Sequence, residues 1–130
     1  MKKRVWFFIF FISFQFVQAQ HQNISEEPII EMKDADTQPI FYAGMDALYE
    51  FIEQNFKKPE VPELIGKVFV SFVVEKDGTL TDIATTRDIG FGTGKEAERV
   101  MQLSPKWVPG RKEGKIVRVK YYLPIPIHTN

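Results

Sequence analysis

The stretch Gly66–Arg87 constrains the fold of this chain more than any other. Val68, Val70, Phe72 and Val74 alternate with Lys67, Phe69, Ser71, Val73 and Glu75, and a period of two marks a strand. β-Branched and aromatic side chains suit a pleated, half-buried surface. Asp77-Gly78 follows and predicts a tight primed turn, which needs positive φ. Leu80, Ile83 and Thr85 are the inward candidates of the return strand. The three-residue step from Leu80 to Ile83 breaks alternation and predicts a bulge near Thr81-Asp82. Two strands alone are marginal in water, so the rest of the chain must supply cover and further pairing.

Two segments read as helical cover. Within 41–56, Met45, Leu48, Ile52 and Phe56 recur at near-helical spacing, widened by Ala47 and Phe51, while Glu50, Glu53 and Gln54 take the other face. Asp46 suits the positive end of the helix dipole, and Pro59 and Pro62 prevent continuation. This stripe reads as core laid on the sheet. Gly90-Phe91-Gly92-Thr93-Gly94 has the look of a phosphate loop, but a hairpin precedes it and Glu96 follows Lys95 where a Walker motif needs Ser or Thr. It reads as a turn leading into a helix over about 94–103, with Thr93 and Glu96 as a capping box. Ala97, Val100 and Met101 face inward, and Ser104-Pro105 ends the helix.

Trp107, framed by Pro105 and Pro109, reads as a core plug; the alternative is an exposed anchor for a partner. After a turn at 112–114, Lys115 to Leu123 forms the last strand. Val117, Val119, Tyr121 and Leu123 lie on one face, with Arg118, Lys120 and Tyr122 on the other. Pro124 and Pro126 lack donors, which predicts that pairing stops there. The order is helix, strand, strand, helix, strand. That is an α+β fold: a small antiparallel three-stranded sheet with two helices on one face.

Composition narrows the function. With 17 basic and 17 acidic residues in 130, the chain fits one small domain and shows no charge run of the kind that lines a nucleic-acid groove. Cysteine is absent, which excludes disulfides, thiolate zinc sites and cysteine nucleophiles. His21 and His128 stand near the termini and offer little for a metal site. Glu75, Asp77, Asp82, Asp88 and Glu96 sit at predicted turns or solvent faces, without a nucleophile–base–orienter set. The expectation is a non-enzyme with no cofactor and no small-molecule substrate.

The first 19 residues read as a secretory signal: Lys2-Lys3-Arg4, an apolar run from Val5 to Phe14, then Val17-Gln18-Ala19 as the cleavage site. The rival is an uncleaved inner-membrane anchor, but a span needs roughly 20 apolar residues, and Gln15, Gln18 and Gln20 stop this run early. Cleavage leaves 111 residues with 14 basic and 17 acidic side chains, a net of −3, and removes half of the twelve phenylalanines. Residues 20–40 form an acidic, flexible leader, in which Pro28-Ile29-Ile30 is the one candidate for a short edge strand. Residues 41–130 are the folded domain. Asn23-Ile24-Ser25 matches a glycosylation sequon and reads as a chance match.

Taken in order, GKVFVSFVVEKDGTLTDI (66–83), RDIGFGTGKEAERV (87–100), SPKWVPG (104–110) and VRVKYYLPI (117–125) resemble the C-terminal domain of TonB, the bacterial energy transducer. FYAGMDALYEFIEQNFKKPE (41–60) is similar to the start of that domain, so the resemblance runs from about Phe41 to Ile127. It implies a periplasmic binding module that grips the TonB-box peptide of an outer-membrane TonB-dependent transporter by adding it as a strand beside the last strand. Carried over residue by residue, the binding positions are Val117, Arg118, Val119, Lys120, Tyr121 and Tyr122, with Lys115–Leu123 as an edge paired to the hairpin on one side and open on the other. The family's Tyr-Pro motif falls on Lys58-Pro59, where the proline is kept and lysine replaces tyrosine. A transducer also carries a membrane anchor and a long spacer. The leader here is about 20 residues, too short to cross a periplasm at ~3.3–3.6 Å each. The alternative is an envelope scaffold that self-associates through the same edge, and Lys120 also reads as an edge guard against aggregation.

Overall fold

The computed structural model describes residues 27–130; the signal segment and residues 20–26 of the leader lie outside them. The elements are β1 (Ile29–Glu31), a 3-10 turn (Met32–Asp34), α1 (Met45–Asn55), β2 (Ile65–Val74), β3 (Leu80–Arg87), α2 (Thr93–Gln102), β4 (Gly110–Lys112) and β5 (Lys115–His128). The sheet runs β1-β5-β2-β3, and β4 pairs with β5. The expected α-β-β-α-β core is therefore present, but the sheet is not three-stranded. β1 and β4 extend it, and β1 makes it mixed, because it runs parallel to β5.

β2 is the central strand. Its alternation places Val68, Val70, Phe72 and Val74 opposite Ile125, Leu123, Tyr121 and Val119 of β5, all of them buried. Leu48 and Ile52 of α1 and Ala97, Val100 and Met101 of α2 close over this face. Each such apolar side chain contributes about 1.5–3 kcal/mol when fully buried. The bulge falls where the sequence places it: Ser71 pairs with Ala84 and Val73 with Thr81, and Asp82 takes φ 50 to absorb the extra residue.

Four local expectations are corrected. The β2–β3 turn is not a two-residue primed turn. Glu75 and Thr79 close a longer loop, in which the Gly78 N–H donates to the Glu75 carbonyl at 2.8 Å and the Glu75 N–H donates to Thr79 at 2.8 Å. Only Gly78 adopts positive φ, at 87, and Asp77 instead accepts from the Thr79 N–H and hydroxyl. Gly78 also has to be glycine because a Cβ there would stand 2.0 Å from the Trp107 carbonyl oxygen. The first helix starts at Met45 rather than near Phe41, because Ala43 (φ 71) and Gly44 (φ 96) cannot be helical. In α2 the cap is Gly92, in the left-handed region, and no side chain caps it. Thr93 lies inside the helix and its hydroxyl donates back to the Gly90 carbonyl at 2.6 Å, while Glu96 pairs with Arg99. Lastly, β5 continues through Pro124 and Pro126 to His128.

Trp107 is the core plug. It is 3% exposed and meets Phe41, Phe72 and Tyr121 edge-on at 5.7, 5.3 and 5.1 Å. Its indole N–H donates to the Ser104 hydroxyl at 3.0 Å, so the ring is buried with its polar atom satisfied.

Candidate functional site

Pairing geometry decides what the backbone of β5 can offer. Along an antiparallel ladder, successive residues direct their N–H and C=O groups alternately toward the partner and away from it. Pro124 and Pro126 stand opposite Phe69 and Lys67 and have no N–H to give. The Tyr49 hydroxyl on α1 donates to the Pro124 carbonyl at 3.0 Å. Even-numbered residues of β5 therefore face away from β2, which is why the strand tolerates two prolines.

The outward side is not open where the sequence predicts an open edge. β1 lies along it, pairing Ile29 with Arg118, Ile30 with Val119 and Glu31 with Lys120. Opposite Val119, Ile30 sits between the outward Arg118 carbonyl and the outward Lys120 N–H. On its other side, beyond the end of β2, the start of β5 is taken by β4, which pairs Gly110 with Val117, Arg111 with Ile116 and Lys112 with Lys115. Glu113 (φ 51) and Gly114 (φ 76) make the primed turn of that hairpin.

Arg118 ties these pieces together. Its guanidinium donates to both carboxylate oxygens of Glu75, at 2.7 and 2.9 Å, and to the Glu27 carbonyl at 2.9 Å. The ionic pair is largely shielded, with side-chain exposures of 16% for Arg118 and 19% for Glu75. The Thr81 hydroxyl gives Glu75 a further bond at 2.7 Å. The Arg118 hydrogen bond chiefly holds the Glu75 carboxyl below its usual pKa, and partial burial works against it. Lys76 reaches the Glu27 carboxylate at 2.8 Å in solvent. At the other end of β1, partial desolvation, together with a hydrogen bond to Glu31, pushes the Tyr122 hydroxyl above its ordinary pKa. An open groove of about 710 Å³ runs beside β1, with Ile30 and Ile116 on its walls and Lys76, Arg111, Lys115 and Arg118 around it. It is a basic groove holding an acidic segment.

The structure brings six of the eight predicted binding residues together on β5, in two different roles. Val119 (0% exposed) and Tyr121 (7% exposed) are core and can serve a partner only through their backbone. Val117, Arg118 and Lys120 are half-buried and Tyr122 is exposed. Lys58 and Pro59 belong elsewhere. Lys58 pairs with Glu53, and their loop is fastened to the far end of β5, where the Thr129 hydroxyl donates to the Val61 carbonyl and accepts from the Leu64 N–H. At ~3.3 Å per residue, Thr129 lies roughly 35 Å along the strand from Arg118. Sequence reasoning missed Glu27, Glu75 and Lys76. The one available signal was Pro28-Ile29-Ile30, an apolar patch in an acidic leader.

Among the described residues, no group of His, Cys, Asp and Glu side chains could hold a metal ion, and no helix is long and apolar enough to cross a membrane. Residues 63–126 match the family described as the Gram-negative bacterial TonB protein C-terminal. That segment covers β2, β3, α2, β4 and most of β5, and leaves β1 and α1 outside. No curated protein and no solved structure matches the chain.

Proposed function

The chain belongs to the TonB C-terminal domain family through residues 63–126, and from that premise we propose that it grips an extended peptide of an outer-membrane TonB-dependent transporter by adding it as a strand to the outward side of β5. The family is a periplasmic, non-enzymatic protein-interaction domain of TonB-dependent transport. One observation carries the finer reading: the outward side of β5 already holds an added parallel strand, β1, through Arg118–Lys120. A backbone edge that pairs a three-residue segment of its own leader has the geometry a guest strand needs. Arg118, Lys120 and Tyr122 flank that edge, and Val117, Val119 and Tyr121 hold it flat against the core. Lys58 and Pro59 join this reading only for a guest long enough to reach the other end of β5.

Main-chain hydrogen bonds net ~0.5–1.5 kcal/mol each. Four or five of them, with a few side-chain contacts, give an affinity near micromolar, where ΔG is about −8 kcal/mol. That suits a grip that forms and releases. The test is titration of the ¹⁵N-labelled chain with peptides from the N-terminal segments of such transporters. Amide shifts should cluster at 118–122. Shifts confined to α1, with β5 silent, would remove strand addition.

A further inference from the structure

We propose that the leader segment Glu27–Glu31 is a displaceable occupant of the strand-accepting seat on β5, and so an internal competitor for any guest strand. This rests on the strand-addition reading and adds its regulation. The seat is specific. β1 runs parallel to β5 in a defined register, the Glu27 carbonyl accepts from Arg118, the Glu27 carboxylate meets Lys76, and Glu31 stands by the Tyr122 hydroxyl. Its hold is nonetheless light. The strand has three residues, none of them buried, and Ile29 is 42% exposed. The Lys76–Glu27 pair is solvent-exposed, and such pairs contribute little.

The remainder of the outward edge cannot substitute. Beyond Lys120 it passes Tyr122, then Pro124 and Pro126, which have no donor, and the Pro124 carbonyl is already bonded to Tyr49. A guest that uses the donors and acceptors from Arg118 to Tyr122 meets β1 on the first three of these residues. Release needs only a local hinge. The chain turns at Met32–Asp34 and is next fastened at Asp36 and Thr37, whose N–H groups donate to the Arg111 carbonyl at 2.9 and 3.1 Å. Met32 packs against the core and can stay there as the pivot while Glu27–Glu31 lifts off β5. The apparent affinity for a guest is then the intrinsic affinity reduced by the fraction of chains with the seat empty.

A pair of leader variants separates this from a merely structural role. Ile30→Pro removes the N–H that faces the Arg118 carbonyl, whereas Ile29→Pro removes one that points away from β5. The full chain is compared in native, Ile30→Pro and Ile29→Pro forms. Hydrogen exchange at the Lys120 amide reports release of β1. Two probes are titrated: a synthetic peptide of this chain's own residues 27–34, and transporter N-terminal peptides. Ile30→Pro should speed Lys120 exchange and tighten the chain's own peptide at least tenfold, with shifts at Arg118 and Lys120, while Ile29→Pro stays close to native. Faster Lys120 exchange without tighter binding of that peptide would overturn the proposal, as would unchanged exchange. The transporter peptides judge the underlying reading separately. If they shift β5 equally in all forms, strand addition stands and competition by β1 falls. If they bind no form while the chain's own peptide binds the released seat, the transporter is the wrong partner and the occupied seat remains.

Discussion

Proline placed at two adjacent positions of β5 tests the pairing geometry on which the site depends. Val119 directs its N–H into the ladder with β2, opposite Val74, and both side chains are 0% exposed. Val119→Pro deletes that donor and leaves a buried acceptor unpaired, at about 1–3 kcal/mol. The new ring must also fit where the valine methyl lies so close to Gly110 that a Cβ there would approach it to 2.7 Å. Such misfit costs about 1–3 kcal/mol more. The sum is roughly 2–6 kcal/mol. Lys120 faces outward, toward Ile30, on the parity that already accepts Pro124 and Pro126. Lys120→Pro should lose only the bond to β1, about 0.5–1.5 kcal/mol. For a domain of this size the urea slope is about 1–1.5 kcal/mol/M. Val119→Pro should therefore lower the unfolding midpoint by about 1.3–6 M and Lys120→Pro by about 0.3–1.5 M, read by far-UV circular dichroism. Lys120→Pro should weaken peptide binding at 118–122 while the fold persists, and Lys120→Ala should matter less. Equal loss of stability in the two proline variants would refute the parity assigned to β5, and with it the seat for a guest.

Trp107→Ala should destabilise by about 3–5 kcal/mol in urea unfolding, the range for a large aromatic truncated in a core; a native-like midpoint would make Trp107 a surface contact. Glu75 has a depressed folded-state pKa, so its stabilisation is present above the unfolded value near ~4.3 and is lost as pH falls through the folded one. The urea midpoint should drop across that window, and Glu75→Gln should flatten this part of the decline. The N-terminal segment should be cleaved after Ala19, so mass spectrometry of the periplasmic fraction should find a chain beginning at Gln20; a membrane-bound chain that keeps residues 1–19 would contradict it.

Local pattern made much of this fold legible. Alternation from Val68 to Val74 declares a strand with one apolar face whatever surrounds it, because neighbouring side chains of a strand point to opposite sides. The step from Leu80 to Ile83 declared its bulge for the same reason. Leu48 with Ile52, and Ala97 with Val100 and Met101, declared two helical faces, and the prolines around Trp107 marked a fixed connection with a ring to bury. These features depend on residues a few positions apart. The features that were misread depend on where a backbone group ends up. Asp77-Gly78 closes a longer loop because Gly78 must pass against Trp107, far away in the chain. Pro124 and Pro126 do not end β5, because their missing donors point away from β2, and no residue near them in sequence says which way they point. The edge of the candidate site is the clearest case. Residues 115–123 carry the alternation of a strand but nothing about which side is taken. Only the tertiary structure, with β2 on one side of β5, leaves the Arg118 carbonyl and the Lys120 N–H outward. It then brings an acidic, apolar leader segment within reach of them and of Arg118, Lys76 and Tyr122. Sequence alone determined α1, α2, β2, β3 and the first part of β5, because burial follows local periodicity; the fold decided that β1 and β4 join the sheet and which backbone edge is occupied, because hydrogen bonds between strands are satisfied by whatever the chain brings alongside.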